Sequence, residues 1–298
     1  VTTCALDMQG GYGYFCAGSK PATLVKVALG DGDADPQVVG ELSLPEYECY
    51  GVAIDPATGY GWVSQTTSSA LYSIVYKVRL GLDADPPVLV GSVDLPFPSP
   101  RCMLSDAANG HIWVGCGGAD SNIVKMSMGV GDDLPQTLGV LNLPHHQGNI
   151  QSGVMDQVAR IGYFVTSSGT PGTQLFKIDL GAGDTTPTQI AVLDISPPIM
   201  NPRTGAAAID PTRGVAYFSN WESPSVIAKI ALGDAVSTPT LINTATLESG
   251  EWAAAGLVVD QAGGYLYAGL EADTNESGVV VKFDEGGSSG PLARPNRL

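Results

Sequence analysis

Six near-copies of one phrase constrain this chain more than any other feature of it. An Asp followed seven residues later by an aromatic occurs at Asp7/Tyr14, Asp55/Trp62, Asp106/Trp113, Asp156/Tyr163, Asp210/Tyr217 and Asp260/Tyr267, with successive Asp residues 48, 51, 50, 54 and 50 positions apart. A second phrase follows in each copy: VKVALG (25–30), YKVRLG (76–81), VKMSMG (124–129), FKIDLG (176–181), AKIALG (228–233) and VKFDEG (281–286). Lys26, Lys77, Lys125, Lys177, Lys229 and Lys282 therefore hold one equivalent position. A long fixed period means that one supersecondary unit is stacked on copies of itself.

Each copy holds short runs of alternating or β-branched residues, the pattern of strands rather than helices. In the second copy they are GVAID (51–55), GYGWVSQ (59–65), YSIVYKVRL (72–80) and PVLVGSVDL (87–95), labelled A to D. Four antiparallel strands per period predict an all-β, six-bladed β-propeller with one blade per copy. Gly11, Gly59, Gly110, Gly214 and Gly264 lie four residues after the Asp, where a tight A–B turn needs positive φ; the fourth copy has Arg160 there. The aromatic is expected to fill the gap between blades with the Lys stem laid along it, a cation–π or ion-pair contact being the alternative for the charged end. One propeller is expected over 1–286, with blades at about 4–48, 49–99, 100–148, 149–199, 200–247 and 248–286 and a C-terminal tail over 287–298.

Composition agrees. The 38 Gly and 21 Pro suit closely spaced turns, and 44% apolar residues suffice for a core, so disorder is expected only at the ends. The 30 acidic against 14 basic residues leave −16, which argues against nucleic acid and anionic membrane surfaces as partners. No apolar run approaches the roughly 20 residues of a membrane span. No basic segment leads into a short apolar one at Val1, so a secretory signal, if one is made, is expected to lie outside these residues.

The run GVAIDPATGYGWVSQ (51–65), followed by VYKVRL (75–80) and VLVGSVDLP (88–96), is similar to the repeats of YVTN- and NHL-type propellers. GVAYF (214–218) with SPSVIAKIALG (223–233) resembles repeats of uncharacterised secreted proteins from protists and bacteria. The resemblance covers 4–286 and implies that the GVAxDP strand lies nearest the central axis. It implies no activity, since propellers host many unrelated ones.

The sixth copy runs from strand C into GGSSGPLARPNRL (286–298), with no good counterpart of VVGELSL, PVLVGSVDL, TLGVLNL, QIAVLDI and TLINTATL. The last blade is therefore expected to lack its own outer strand. Such an edge is either blunted, here by 291–298 folding against it, or used for pairing. Val279, Val281 and Phe283 mark the candidate assembly edge, which would accept a β-strand from a protein partner or from another copy of the chain.

Counted from the Asp anchors, Cys4 and Cys16 fall across the A–B hairpin of blade one, and Cys102 and Cys116 across that of blade three, one residue further from the turn on both strands. Disulfides Cys4–Cys16 and Cys102–Cys116 are expected, with buried thiols as the alternative. Cys49 is left over: free, bonded between chains, or competing with Cys102 for a partner. Disulfides belong to oxidising compartments, so a secreted, extracellular location is expected. Asn275, in the sequon Asn275-Glu276-Ser277, is the candidate acceptor of a glycan.

Function on a propeller gathers where the D–A and B–C loops emerge. The candidate binding residues there are Glu48, Arg101, His145, His146, Asn149, Arg203, Trp221, Glu251 and Trp252. Six-bladed calcium-dependent lactonases and esterases hold a metal with Glu, Asn and Asp side chains; Glu48, Asn149, Asn201 and Glu251 are of the right type, with His145 or His146 as a base. Against this, the inner strands read VAI, MLS, GVM, AAI and LVV, and three His are too few for a metal cluster. No GxSxG, HExxH, Walker or zinc spacing occurs. The turns GDGDADP (30–36), GLDADPP (81–87), GVGDDLP (129–135) and GAGDTTP (181–187) echo calcium loops without the downstream Glu, which leaves calcium as the one candidate cofactor and no catalytic residue assigned. The expectation is a non-enzymatic extracellular binding or structural module, a repeating subunit of a coat or filament. The alternatives are a metal-dependent lactonase- or esterase-type hydrolase at the axis and a lectin-like carbohydrate binder with Trp221 and Trp252 as stacking platforms.

Overall fold

The computed structural model describes residues 3–18, 20–30, 32, 34–45, 48–67, 71–118, 120–143, 148–166, 172–197, 204–249, 251–271 and 278–293, with backbone alone at 204 and 205. Blade one holds β1 (Thr3–Asp7), β2 (Tyr12–Ala17), β3 (Ala22–Ala28) and β4 (Gln37–Leu44); blade two holds β5 (Cys49–Asp55), β6 (Tyr60–Thr66), β7 (Ser73–Arg79) and β8 (Val88–Leu95). Blade three is β9 (Cys102–Asp106), β10 (His111–Cys116), β11 (Ser121–Ser127) and β12 (Thr137–Leu143), and blade four β13 (Ile150–Asp156), β14 (Ile161–Thr166), β15 (Gln174–Asp179) and β16 (Thr188–Asp194). Blade five is β17 (Thr204–Asp210), β18 (Val215–Asn220), β19 (Val226–Ala231) and β20 (Thr240–Thr246); blade six has β21 (Ala254–Asp260), β22 (Tyr265–Leu270) and β23 (Val279–Asp284). Every sheet is ordered as in the sequence, the arrangement of a six-bladed β-propeller whose last blade has three strands. The helical turn Ala107–Asn109 is the only one among the described residues.

Two compact units are distinguished, Val1–Pro144 with Ala182–Thr186, and His145–Gly181 with Pro187–Leu298. Within the first, the A strands β1, β5 and β9 lie against one another; within the second, β13, β17 and β21 do.

The repeated Asp closes the A–B turn. One carboxylate oxygen accepts backbone N–H groups two or three residues on, as Asp7 does from Gly10 (2.8 Å), Asp156 from Ala159 (2.9 Å) and Asp260 from Gly263 (2.8 Å). The residue at the fourth place turns left-handed, with φ of 74° at Gly11 and 75° at Gly59. Arg160 does the same at 57°, and its guanidinium donates to the Gly181 carbonyl, a bond that offsets the strain a side chain meets there. The carbonyl of this turn residue then accepts the N–H just before the C–D turn, as in Leu80 to Gly59 (2.9 Å) and Leu232 to Gly214 (2.9 Å), locking the two turns of a blade together.

The repeated Lys locks one blade to the next. The ammonium of Lys77, fully buried, donates to the carbonyls of Met128 (3.0 Å), Gly129 (3.0 Å) and Asp133 (2.8 Å) in the C–D turn of blade three. Lys26 donates to Gly81 and Asp85, Lys125 to Gly183 and Thr185, Lys177 to Leu232, Asp234 and Ser237, and Lys229 to Glu285, Gly287 and Gly290. A shift in register after each of these Lys residues, the mark of a β-bulge, re-aims the strand at this point. Burial lowers the pKa of Lys26, Lys77, Lys177 and Lys229, and neighbouring carboxylates such as Asp85, Asp132, Asp234 and Glu285 oppose it. The cation–π contact, the alternative to stem packing, is present too: Lys77 Nζ lies 4.5 Å from the Tyr60 ring and 5.8 Å from that of Trp62. The carbonyl cage is the contact that residue identities alone did not reveal.

Of the recurring aromatics, Tyr14, Trp62, Tyr163 and Tyr217 are buried between blades as expected, against Val63, Val114, Phe218 and Leu266 of the next blade; Trp113 is fully buried and Tyr267 half-buried. In blade six Val281 and Phe283 point into the core, while Val279 and Val280 face outward. The segment after β23 is built into the blade: Asp284 and Ala293 exchange both backbone hydrogen bonds (2.7 and 3.0 Å), and Leu292 is buried. Residues 287–293 thus complete a C–D turn like the other five.

The cysteine pairing differs from expectation. Cys4 opposes Phe15 while Cys16 opposes Thr3, and Cys102 opposes Gly115. Each expected pair is therefore one residue out of register, which puts its two side chains on opposite faces of the sheet. Neither Cys4–Cys16 nor Cys102–Cys116 forms; Cys4 is exposed, and Cys102 and Cys116 are buried thiols. Burial pushes the Cys102 thiol up to about 12, which makes it inert. The disulfide is Cys16–Cys49, with Cα atoms 6.2 Å apart, joining strand B of blade one to strand A of blade two.

Replacing Lys77 by Met keeps the stem and strands three carbonyls, and is expected to cost about 2–4 kcal/mol in urea unfolding; an unchanged midpoint would show that the cage contributes nothing. Thiol titration in denaturant is expected to count three groups before reduction and five after. Cys49→Ser should cost about 4 kcal/mol for a disulfide spanning 33 residues.

Candidate functional site

Five residues before the repeated Asp, the A strand carries an extra residue. Cys49 pairs with Gln65 and Gly51 with Ser64, so Tyr50 is bulged out of the ladder. Gln151 and Ala255 are extra in the same way in β13 and β21. Arg101 takes this place beside β9, where the Gly115 carbonyl opposite Cys102 also accepts the Arg101 N–H (3.0 Å). The packing positions repeat from blade to blade, whereas this one reads Tyr50, Arg101, Gln151, Gly205 and Ala255. A bulge re-aims a side chain, and here a shared backbone device presents a different chemistry in each blade.

In the first unit the device assembles three side chains. The guanidinium of Arg101 stacks 4.4 Å from the centre of the Tyr50 ring, and the Tyr50 hydroxyl donates to Glu48 Oε2. Arg101 Nε is buried and has no hydrogen-bond acceptor among the described residues. The other described arginines are all engaged: Arg79 with Asp132, Arg160 with the Gly181 carbonyl, and Arg213 with Asp210 and Glu285. Among the described residues Arg101 is thus the arginine whose side chain has no acceptor, on a chain of net charge −16. The Cys16–Cys49 bridge lies between Glu48 and Tyr50 in sequence and ties that stretch to blade one. Sequence reading named Glu48 and Arg101 and missed Tyr50; the signal for it was the one variable column in a repeated frame.

In the second unit the candidate residues do other work. Glu251 is buried, and its Oε2 accepts the Glu248 N–H (2.7 Å) while its own N–H donates to the Glu248 carbonyl (3.0 Å), so the carboxylate staples its own loop. Trp252 is 40% exposed, Trp221 is partly buried, and Asn149 is partly buried ahead of the Gln151 bulge. His145, His146, Asn201, Arg203 and Asn275 lie outside the described residues.

A calcium cage of Glu, Asn and Asp does not fit what is described. Glu48 and Glu251 are already acceptors within their own loops, and no three His, Cys, Asp or Glu residues gather among the described residues. In the acidic turns, Asp132 is held below its usual range first by its Arg79 bond and then by Tyr60, and Asp234 by bonds from Ser237 in its own turn. No described helix is long and apolar enough to cross a membrane.

No protein-family profile matches the chain, and no curated protein matches it. Among solved structures it is similar to a 6-phosphogluconolactonase candidate from Bacteroides uniformis, at 14% identity and TM-score 0.79, covering 98% of this chain and 83% of that one. A second such candidate, from Bacteroides fragilis, shares 12% identity at TM-score 0.75, over 99% and 83%. Sqt1 of Chaetomium thermophilum, solved with the N-terminus of the ribosomal protein L10, shares 12% at TM-score 0.60, over 95% and 71%. At such identities the likeness establishes the propeller fold. It corrects the expectation of a non-enzymatic extracellular coat or filament subunit, because these similar propellers are two lactonase candidates and a protein bound to a ribosomal-protein N-terminus.

Proposed function

We propose that this chain is a hydrolase of small anionic lactones or esters, acting at Glu48, Tyr50 and Arg101 in the first unit. The observation that carries this reading is the Arg101 guanidinium, its Nε without an acceptor among the described residues, lying over the Tyr50 ring, whose hydroxyl is bonded to a carboxylate. The likeness to lactonase candidates supports the reaction class. Arg101 pairs with the negative group of the substrate or with the oxyanion that forms at its carbonyl. Glu48, oriented by Tyr50, accepts a proton from the attacking water and returns it to the ring oxygen as the acyl C–O bond breaks, leaving a hydroxy acid. Tyr50 lies in β5, and Glu48 and Arg101 stand immediately before β5 and β9, so all three are positioned by the start of an A strand, which favours a fixed geometry.

Hydrolysis of 6-phosphogluconolactone and of unphosphorylated gluconolactone, followed by pH-stat against the spontaneous rate, tests this. The expected result is turnover of the charged substrate above background. Glu48→Gln should lower kcat by about 10²- to 10⁴-fold, and Arg101→Ala should raise KM for the charged lactone by about tenfold or more, and less for the neutral one. Absence of catalysed hydrolysis of either substrate, with and without added calcium, would overturn the reading.

A further inference from the structure

One position in the repeat changes chemistry in the core rather than at the bulge. Before the C–D turn stand Leu29, half-buried, and Leu80, Met128, Leu180 and Leu232, all buried; blade six has Glu285, fully buried, in the same place. Around it lie groups from each element that packs there. Arg213, from the A–B turn of blade five, reaches Glu285 Oε2 at 3.2 Å, but its Nη1 is bonded more closely to Asp210 Oδ2 at 2.6 Å. Tyr217 on β18, Lys229 on β19 and Asp284 on β23 complete the charged and titratable surroundings. Two carboxylates thus share one guanidinium, and Asp210 holds the better share. Lys229, in turn, spends its ammonium on the backbone carbonyls of Glu285, Gly287 and Gly290 rather than on the Glu285 side chain. The carboxylate sits at the root of the turn that the Lys229 cage, the Asp284–Ala293 bridge and the buried Leu292 hold in place.

We propose that Glu285 is a proton-operated latch on the last turn of blade six: neutral, it fills the apolar socket as its counterparts do, and ionised, it loosens residues 286–293 and the grip of Lys229 on them. Burial, chiefly, raises its pKa above the ordinary 4.5, with Asp210 adding to the effect and Tyr217, Arg213 and Lys229 opposing it. The sign follows. The folded chain keeps this proton over a range of pH in which the unfolded chain has lost it, so the stabilisation is complete below about pH 4.5 and fades as pH rises through the folded value. An uncharged side chain of similar size removes the response.

Hydrogen exchange of the backbone amides in 284–293, corrected for intrinsic rates, is compared at pH 5 and pH 7.5 in the wild-type chain, Glu285→Leu and Glu285→Gln, with the blade-five turn 233–239 as internal reference. The expected result is a loss of protection at pH 7.5 in the wild type, about tenfold for each pH unit by which the folded value exceeds the unfolded one, with none in the reference turn. Both variants should be protected equally at the two pH values; Glu285→Gln, close in shape to the native residue, serves if Glu285→Leu does not fold. Equal protection of the wild type at both pH values, or the same loss in the variants, would overturn the proposal.

Discussion

An ammonium group inside a ring of backbone carbonyls is the contact on which this propeller depends. Blades bury their faces on one another by apolar packing, but apolar packing is tolerant of sliding. The Lys fixes the register between neighbours because its three donors fit one arrangement of turn carbonyls, as Lys77 fits Met128, Gly129 and Asp133. Stripping water from an ammonium is costly, and charge-assisted bonds to several carbonyls offset that cost only when all are made. This accounts for features that otherwise look separate: the bulge that follows the Lys, the left-handed Gly that opens the C–D turn, and the fixed spacing between them.

With packing and register handled by the same residues in blades one to five, other positions are released from structural duty. The bulge at the top of strand A is such a position. It leaves the identity of the side chain open, so Tyr50 and Arg101 stand at equivalent places in adjacent blades, with the guanidinium over the ring. Glu285 departs from the repeat in the opposite sense, inside the core, where a carboxylate replaces Leu or Met. One departure lies at the start of strand A and the other inside the core.

The first unit also contains a covalent tie absent from the repeat. Cys16–Cys49 links blade one to blade two beside Glu48 and Tyr50, so the stretch carrying two of the three site residues is anchored to its neighbour at the point where the ladder is interrupted. Anchoring next to a bulge limits the freedom that the bulge creates, which is what a preorganised site requires.

What the amino-acid sequence determined by itself was the architecture: six blades, their strands, the Asp-closed turns, the buried aromatics and the short last blade all follow from spacing, because every blade must present the same faces at the same intervals. Glu48 and Arg101 were legible as polar residues at loop ends. The cysteine partners were not, since a slip of one residue in a hairpin reverses the face of a side chain and the true bridge joins two different blades. The Lys cage was equally hidden, its acceptors being main-chain carbonyls 51 to 61 residues away that carry no signature in the side chains. Tyr50 and the surroundings of Glu285 also needed the fold, because contacts between blades depend on register and burial, and those exist only once the sheets have packed.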